Sequence, residues 1–324
     1  MDDFDFYPEK PILEEKQFNG GLSATVLSII IFVITFLLFF SEELNFLLNI
    51  LIVLTIHELG HFLMMKYFKY RNVKMLFVPL MGAFVQGTKD TYSQKETMMV
   101  VGAGPFPGVL LGIVFLFLSV KFQEAWMVDL GLMFLLLNLL NLLPIDPLDG
   151  GQLFKSFIKG NYELLLLAFS FISSMVLILG GLYLNNWILV IFGFLMGFRV
   201  RSMQKHFLIH KELTKRNISY FSSYNNLSNK NYIQIKEVLF EQSTALNKIK
   251  DMMPADELDP VIAEQVNGVL VTPMHYDASL FFKLTFLFFW MFCLSLIVVL
   301  PFLYFSGTLS VDYFKWYFNE FSFK

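Results

Sequence analysis

His57-Glu58-Leu59-Gly60-His61 is the stretch of this 324-residue chain whose residue types can do chemistry together. On a helix, positions i and i+4 share a face, so His57 and His61 would offer two imidazole nitrogens to one divalent ion. Glu58, beside the first histidine, would reach a water on that ion and take its proton. This H-E-x-x-H arrangement reads as zinc-assisted hydrolysis. The run around it, from about Leu44 to Phe68, is apolar, and ionisable groups in a lipid-spanning helix are costly enough to mark a functional site. A second polar stretch lies further along, Asn138-Leu-Leu-Asn141-Leu-Leu-Pro144-Ile-Asp146-Pro147-Leu-Asp149-Gly150-Gly151. Its two prolines should break a helix and leave Asp146 and Asp149 on extended backbone. Two readings stand at this point. A carboxylate here supplies the third ligand of a zinc ion that keeps one open position, the catalytic pattern, or the stretch is a cytoplasmic turn rich in Asp, Pro and Gly. Rise per residue puts His57 roughly 20 Å from Leu44 and Pro144 roughly 25 Å from Met127. Both then approach the cytoplasmic third of the bilayer, where the two groups can meet.

The elements that must position these groups are membrane helices. The chain is 56% hydrophobic and 16% charged, with 39 Phe and a mean hydropathy of +0.59. A soluble protein of this size has no interior large enough for so much apolar surface, so the class is an all-α polytopic membrane protein. Spanning takes roughly 20 apolar residues, which gives six to seven transmembrane helices, at about 22–40, 44–67, 98–120, 127–145, 163–184, 186–199 and 279–305. The net charge of -3 gives no sign of nucleic-acid binding. Cys293 stands alone in an apolar run, so there is no intrachain disulfide and no cysteine metal site. The acidic N-terminus is unlike a cleavable signal peptide.

Lys and Arg placement sets the orientation. With the N-terminus in the cytoplasm, 21 of the 24 basic residues fall on the cytoplasmic side, and only Lys121, Lys315 and Lys324 on the other. The organisation that follows is a cytoplasmic tail (1–21), a membrane domain (22–199), a cytoplasmic module or arm (200–278), a last transmembrane helix (279–305) and an extracytoplasmic tail (306–324). That last tail is aromatic (Tyr313, Phe314, Trp316, Tyr317, Phe318) and suits a membrane interface. In the arm, a basic stretch from Arg199 to Arg216 suits anionic headgroups, 217–231 reads as a loop, and Tyr232–Met253 as a helix stopped by Pro254. His206 and His210 are also i, i+4, but they lack a glutamate between them and sit among cations, so they read poorly as ligands. Between the second and third spans, Lys74–Gly87 carries two β-prone runs around Pro79 and Gly82, a hairpin pattern. It is either re-entrant, buried beside the histidine helix, or an interfacial loop.

With both polar stretches in hand, the chain resembles the site-2 protease family of intramembrane zinc metalloproteases. The matching pieces are HELGH in one span and Asn141-x-x-Pro144-x-x-x-x-Asp149-Gly150 after it, with a hairpin and the Gly-Pro-containing Val101–Gly108 segment between. The likeness covers about 44–160, the family's three-helix protease core. It implies that His57, His61 and Asp149 bind one Zn2+ and that Glu58 is the general base. It further implies that Asn141 contacts the substrate backbone or developing oxyanion, and that the hairpin 74–87 pairs with an unwound substrate by β-addition. The implied activity is cleavage of membrane-spanning chains, a single-span protein or a signal-peptide remnant, in regulated intramembrane proteolysis at a bacterial cytoplasmic membrane. Two positions depart from the family. Gly108 stands where an asparagine is common, and Asp146 adds a second carboxylate, either solvated at the membrane face or acting on its neighbour's pKa. The rival functions are a proteolytically silent zinc-binding scaffold or sensor, which has no need of Glu58, and a transporter, for which repeat symmetry is missing.

Overall fold

In lipid a chain must satisfy its own backbone groups, so long apolar runs are forced into helices. The computed structural model describes residues 7–13, 21–39, 44–78, 82–158, 163–252 and 254–305. The expected aromatic tail and the hairpin tip at Pro79 lie outside them. All seven expected spans fall on helices: α1 (Gly21–Phe39), α2 (Leu44–Tyr67), α3 and α4 (Gln94–Gly102, Pro105–Phe122), α5 (Ala125–Asn141), α7 (Glu163–Tyr183), α8 (Trp187–Lys215) and α12 (Leu280–Phe305). Five helical stretches are long and apolar enough to cross a membrane: α2, the α3–α4 run, α7, α8 and α12 up to Leu300. Ser23–Leu38 and Ala125–Asn141 are shorter apolar helices. Burial on α2 is inside out by the standard of a soluble protein. Leu48, Ile52, Ile56, Leu59 and Leu63 are exposed, while His57, Glu58 and His61 face inward. An exposed leucine and isoleucine face of this length is at home in lipid, and the chain is a multi-pass membrane protein.

Three boundaries differ from expectation for local reasons. The third span is broken at Ala103–Gly104, just ahead of Pro105. The fourth stops at Asn141, one turn before Pro144, and the chain restarts as α6 (Asp149–Phe157). The sixth continues to Lys215, so the basic stretch from Arg199 is its last half.

Contacts divide the chain into two units. One contains α1 to α6, α12 and a hairpin of β1 (Arg71–Val78) and β2 (Gly82–Thr88), antiparallel with Met75 opposite Val85 and Phe77 opposite Ala83. The expected hairpin is therefore present and slightly longer. It is held against protein: Thr25 Oγ1 donates to the Met75 carbonyl (2.7 Å), the Phe77 N–H donates to Ser28 Oγ (3.0 Å), and the Phe32 and Phe77 rings meet edge to face. Helices α4 and α5 pack closely, and Trp290 of α12 donates to the Leu142 carbonyl just past α5 (2.7 Å).

The other unit contains residues 7–13, α7, α8 and three helices, α9 (Asn229–Gln242), α10 (Thr244–Met252) and α11 (Ala255–Val269). The helix expected over 232–253 is thus two, parted at Ser243, and Pro254 is the N-cap of the next. Leu213, Ile235, Val238, Ile262 and Val266 form its core. Lys10 Nζ donates to the carbonyls of Tyr224 and Leu227 (2.6 Å each), fastening the N-terminal segment to this core. His210 is a tie rather than a surface residue. Its Nδ1 lies 2.8 Å from Glu163 Oε1 and its Nε2 2.7 Å from the Val269 carbonyl, with the ring stacked on Tyr220. Replacing His210 by Leu should therefore strand a carboxylate and a carbonyl. We expect a loss of about 2–4 kcal/mol, read as earlier thermal unfolding and faster proteolysis within 217–275.

Candidate metal centre

Helix α2 sets His57, Glu58 and His61 on its inward face, and the burial of all three is nearly complete. Each imidazole is fixed through its far nitrogen. His57 Nδ1 lies 2.7 Å from Asn138 Oδ1. The amide nitrogen of Asn138 donates to the Phe134 carbonyl (2.7 Å), which turns its oxygen toward the ring. His61 Nδ1 lies 2.8 Å from the Val100 carbonyl. Both partners are acceptors, so both histidines donate from Nδ1 and turn Nε2 toward each other. This is how a protein orients metal-binding histidines.

The two Nε2 atoms lie 3.2 Å apart, and Asp149 Oδ2 is 3.0 Å from the first and 3.3 Å from the second. Three potential ligand atoms thus face one another. Among the described residues they form the one group of three side chains whose ligand atoms all lie within 4.8 Å. Asp149 Oδ2 and Glu58 Oε2 are both buried and lack a hydrogen-bond partner. A tetrahedron with bonds of roughly 2.0 Å has edges of about 3.3 Å, and the observed separations match it. The residues present therefore fit a small divalent cation with nitrogen and carboxylate ligands. The Val85 N–H of β2 hydrogen-bonds the Glu58 carboxylate, which places a strand edge beside the same face of α2.

The approach of α3 and α4 depends on missing side chains. A Cβ at Gly60 would run into the Ala103 carbonyl, and one at Gly104 into the His61 ring. A Cβ at Gly108 would occupy the place of the Asn138 amide. The family's asparagine position is empty of a side chain here, and an asparagine from the facing helix fills the space.

His57, Glu58, His61 and Asp149 are brought together as the sequence suggested. Asn141 is not drawn in: it is the last residue of α5, half-buried, and makes no side-chain hydrogen bond among the described residues. The asparagine that touches the cluster is Asn138, one turn earlier, fully buried in an otherwise apolar stretch. That isolation was the available signal, and the resemblance drew attention to Asn141 instead. Asp146 is neither solvated nor a member of the cluster. It is fully buried, and Lys155 Nζ lies 2.7 Å from its Oδ1.

The family model described as Peptidase family M50 matches residues 45–129, which include both histidines and Glu58 and end before Asp149. Zinc metalloprotease MJ0392 of Methanocaldococcus jannaschii is 29% identical over 112 residues, 33% of this chain and 32% of that protein. Stage IV sporulation protein FB of Bacillus subtilis is 32% identical over 114 residues, 33% of this chain and 38% of that protein. The chain thus matches about a third of the length of these curated relatives. The solved structure of the Site-2 Protease from Methanocaldococcus jannaschii aligns with 55% of this chain and 86% of its own, at 21% identity and a TM-score of 0.43, too loose to argue from. The family model and the two relatives agree with the motifs: over residues 45–129 the chain is similar to peptidase family M50, in keeping with its resemblance to the site-2 proteases.

Proposed function

We propose that this protein is an intramembrane zinc metalloprotease, with one Zn2+ held by His57, His61 and Asp149 and with Glu58 as general base. The observation that carries the reading is the convergence of three ligand atoms beside the buried Glu58 Oε2, on a helix whose opposite face is aliphatic and exposed. A carboxylate so placed is superfluous for a site that only stores or senses metal. Zinc bound there supplies the Lewis acidity that makes water nucleophilic near neutral pH. The chain's own groups do the rest. Glu58 takes the proton from the attacking water and passes it to the leaving amine nitrogen as the peptide C–N bond breaks. Asn138 and the Val100 carbonyl hold the imidazoles still. Asn141 is retained as a substrate contact on resemblance alone.

A membrane-spanning substrate must unwind before its carbonyls are accessible, because a helix engages them in hydrogen bonds. The outer edge of β2 favours this reading. The Val85 N–H points to Glu58 rather than to β1, and Ala83 and Gly87, two residues either side, direct their backbone groups the same way. An extended substrate segment would add there and regain hydrogen bonds beside the metal. The substrate class is a single-span protein or signal-peptide remnant, the role is regulated intramembrane proteolysis at a bacterial cytoplasmic membrane as the resemblance implies, and the Lys/Arg bias supports a cytoplasmic N-terminus.

The test is cleavage of a tethered single-span substrate by purified protein, with metal analysis of the same sample. Glu58→Gln should retain zinc and lose activity by about 10²–10⁴-fold, whereas His57→Ala and Asp149→Asn should lose the metal. Turnover by Glu58→Gln at the parent rate rejects the mechanism, and zinc with no chelator-sensitive cleavage points to a silent homologue. Asn138→Leu removes the hydrogen bond that fixes the His57 tautomer. Its zinc affinity should fall about 10–100-fold, measured by competition with a fluorescent chelator, and an unchanged affinity would reject its orienting role.

A further inference from the structure

The carboxylate of Asp146 is 0% exposed, three residues ahead of Asp149, in a position with no place in the metal cluster. An isolated buried carboxylate is strongly disfavoured, so its partners say what it is for. Lys155 reaches back from the second turn of α6 to Asp146 Oδ1 (2.7 Å), and Gln152 Nε2 donates to the same oxygen (3.3 Å). Lys155 is itself mostly buried, with 16% of its side chain accessible. The pair therefore closes a ring of chain from 146 to 155, and Asp149 lies inside that ring.

Within the ring the backbone has little freedom left. The Leu148 N–H donates to the Ile145 carbonyl (2.8 Å) and the Gln152 N–H to the Leu148 carbonyl (3.0 Å). A Cβ at Gly150 would run into the Leu142 and Leu143 carbonyls, so the descending chain lies directly against the first turn of α6. The far end of α6 is anchored separately, by Gln94 Nε2 on the Ser156 carbonyl (2.7 Å). Asp149 is the first residue of this nine-residue helix, and a small rotation of so short an element would carry its carboxylate away from the two Nε2 atoms. Charge-assisted hydrogen bonds are the stronger and more directional kind.

We infer that the Asp146–Lys155 ion pair is a positioning clamp that holds Asp149 at the metal site and sets how tightly the metal is kept. Asp146 and Lys155 touch neither metal nor substrate in this role; they act through Asp149. The inference rests on the metal site proposed above. It also accounts for a second carboxylate near the centre that is not a ligand: its charge is neutralised by Lys155.

The test measures zinc affinity by competition with a fluorescent chelator, and zinc release into excess chelator, on the full-length protein in detergent. Melting of the metal-free proteins is followed alongside. Asp146→Leu and Lys155→Met each remove one member of a buried ion pair, so the deciding variant is the double, D146L/K155M, which removes both. The clamp requires that this double bind zinc about 10–100-fold more weakly and release it faster, while its metal-free melting stays near the parent's. Lys155→Arg should recover most of the affinity. If D146L/K155M fails to fold, D146N/K155M, which keeps an amide for Gln152, is read in the same way. A double variant that holds zinc as tightly as the parent overturns the inference alone. A parent protein that takes up no zinc overturns the metal site and the clamp together.

Discussion

Everything in the membrane part of this protein answers to one electrostatic constraint. Two imidazole lone pairs and a carboxylate oxygen are held within about van der Waals distance of one another, out of water. Such a group repels itself unless a cation sits among it, and low dielectric magnifies the repulsion. Keeping the three atoms together, free to receive a cation, therefore requires that alternative arrangements be blocked. The structure does so by engaging the far side of each ligand. Asn138 and the Val100 carbonyl take the two Nδ1 protons, and the chain around Asp149 is tied back on itself.

That requirement explains features that otherwise look unrelated. The third expected span is broken at Ala103–Gly104, ahead of Pro105, and position 104 has no room for a side chain because the His61 ring occupies that space. Gly108 leaves room for an amide from the facing helix, so the orienting asparagine comes from α5 rather than α4. The two prolines end α5 early and let a second short helix start at Asp149, which turns a carboxylate toward α2. Each is a local breach of regular helix that serves one polar cluster. The outward sides of the same helices are mostly large apolar side chains.

The hairpin meets a related demand. Strands inside a membrane protein must have their backbone groups answered by protein. Here β1 is paired with β2 and hydrogen-bonded to side chains of α1, while one N–H of β2 is spent on Glu58. The second unit shows the opposite economy. Its helices α9 to α11 bury a conventional apolar core, and its internal ties are polar groups near the segment ends, Lys10 on the carbonyls of Tyr224, Asn225 and Leu227 and His210 between Glu163 and Val269.

Periodicity and composition were enough to place the membrane helices, since long apolar runs have only one way to satisfy their backbone, and the i, i+4 spacing of His57 and His61 was enough to put both on one face. Neither could distinguish Asp149 from Asp146, because two carboxylates three residues apart on broken helix differ only in where the chain turns next. Tertiary packing made that choice, sending one to the histidines and the other to Lys155. It also brought Asn138 to the His57 ring, since a hydrogen bond to a ring on another helix depends on how the helices meet, which no pattern within α5 records.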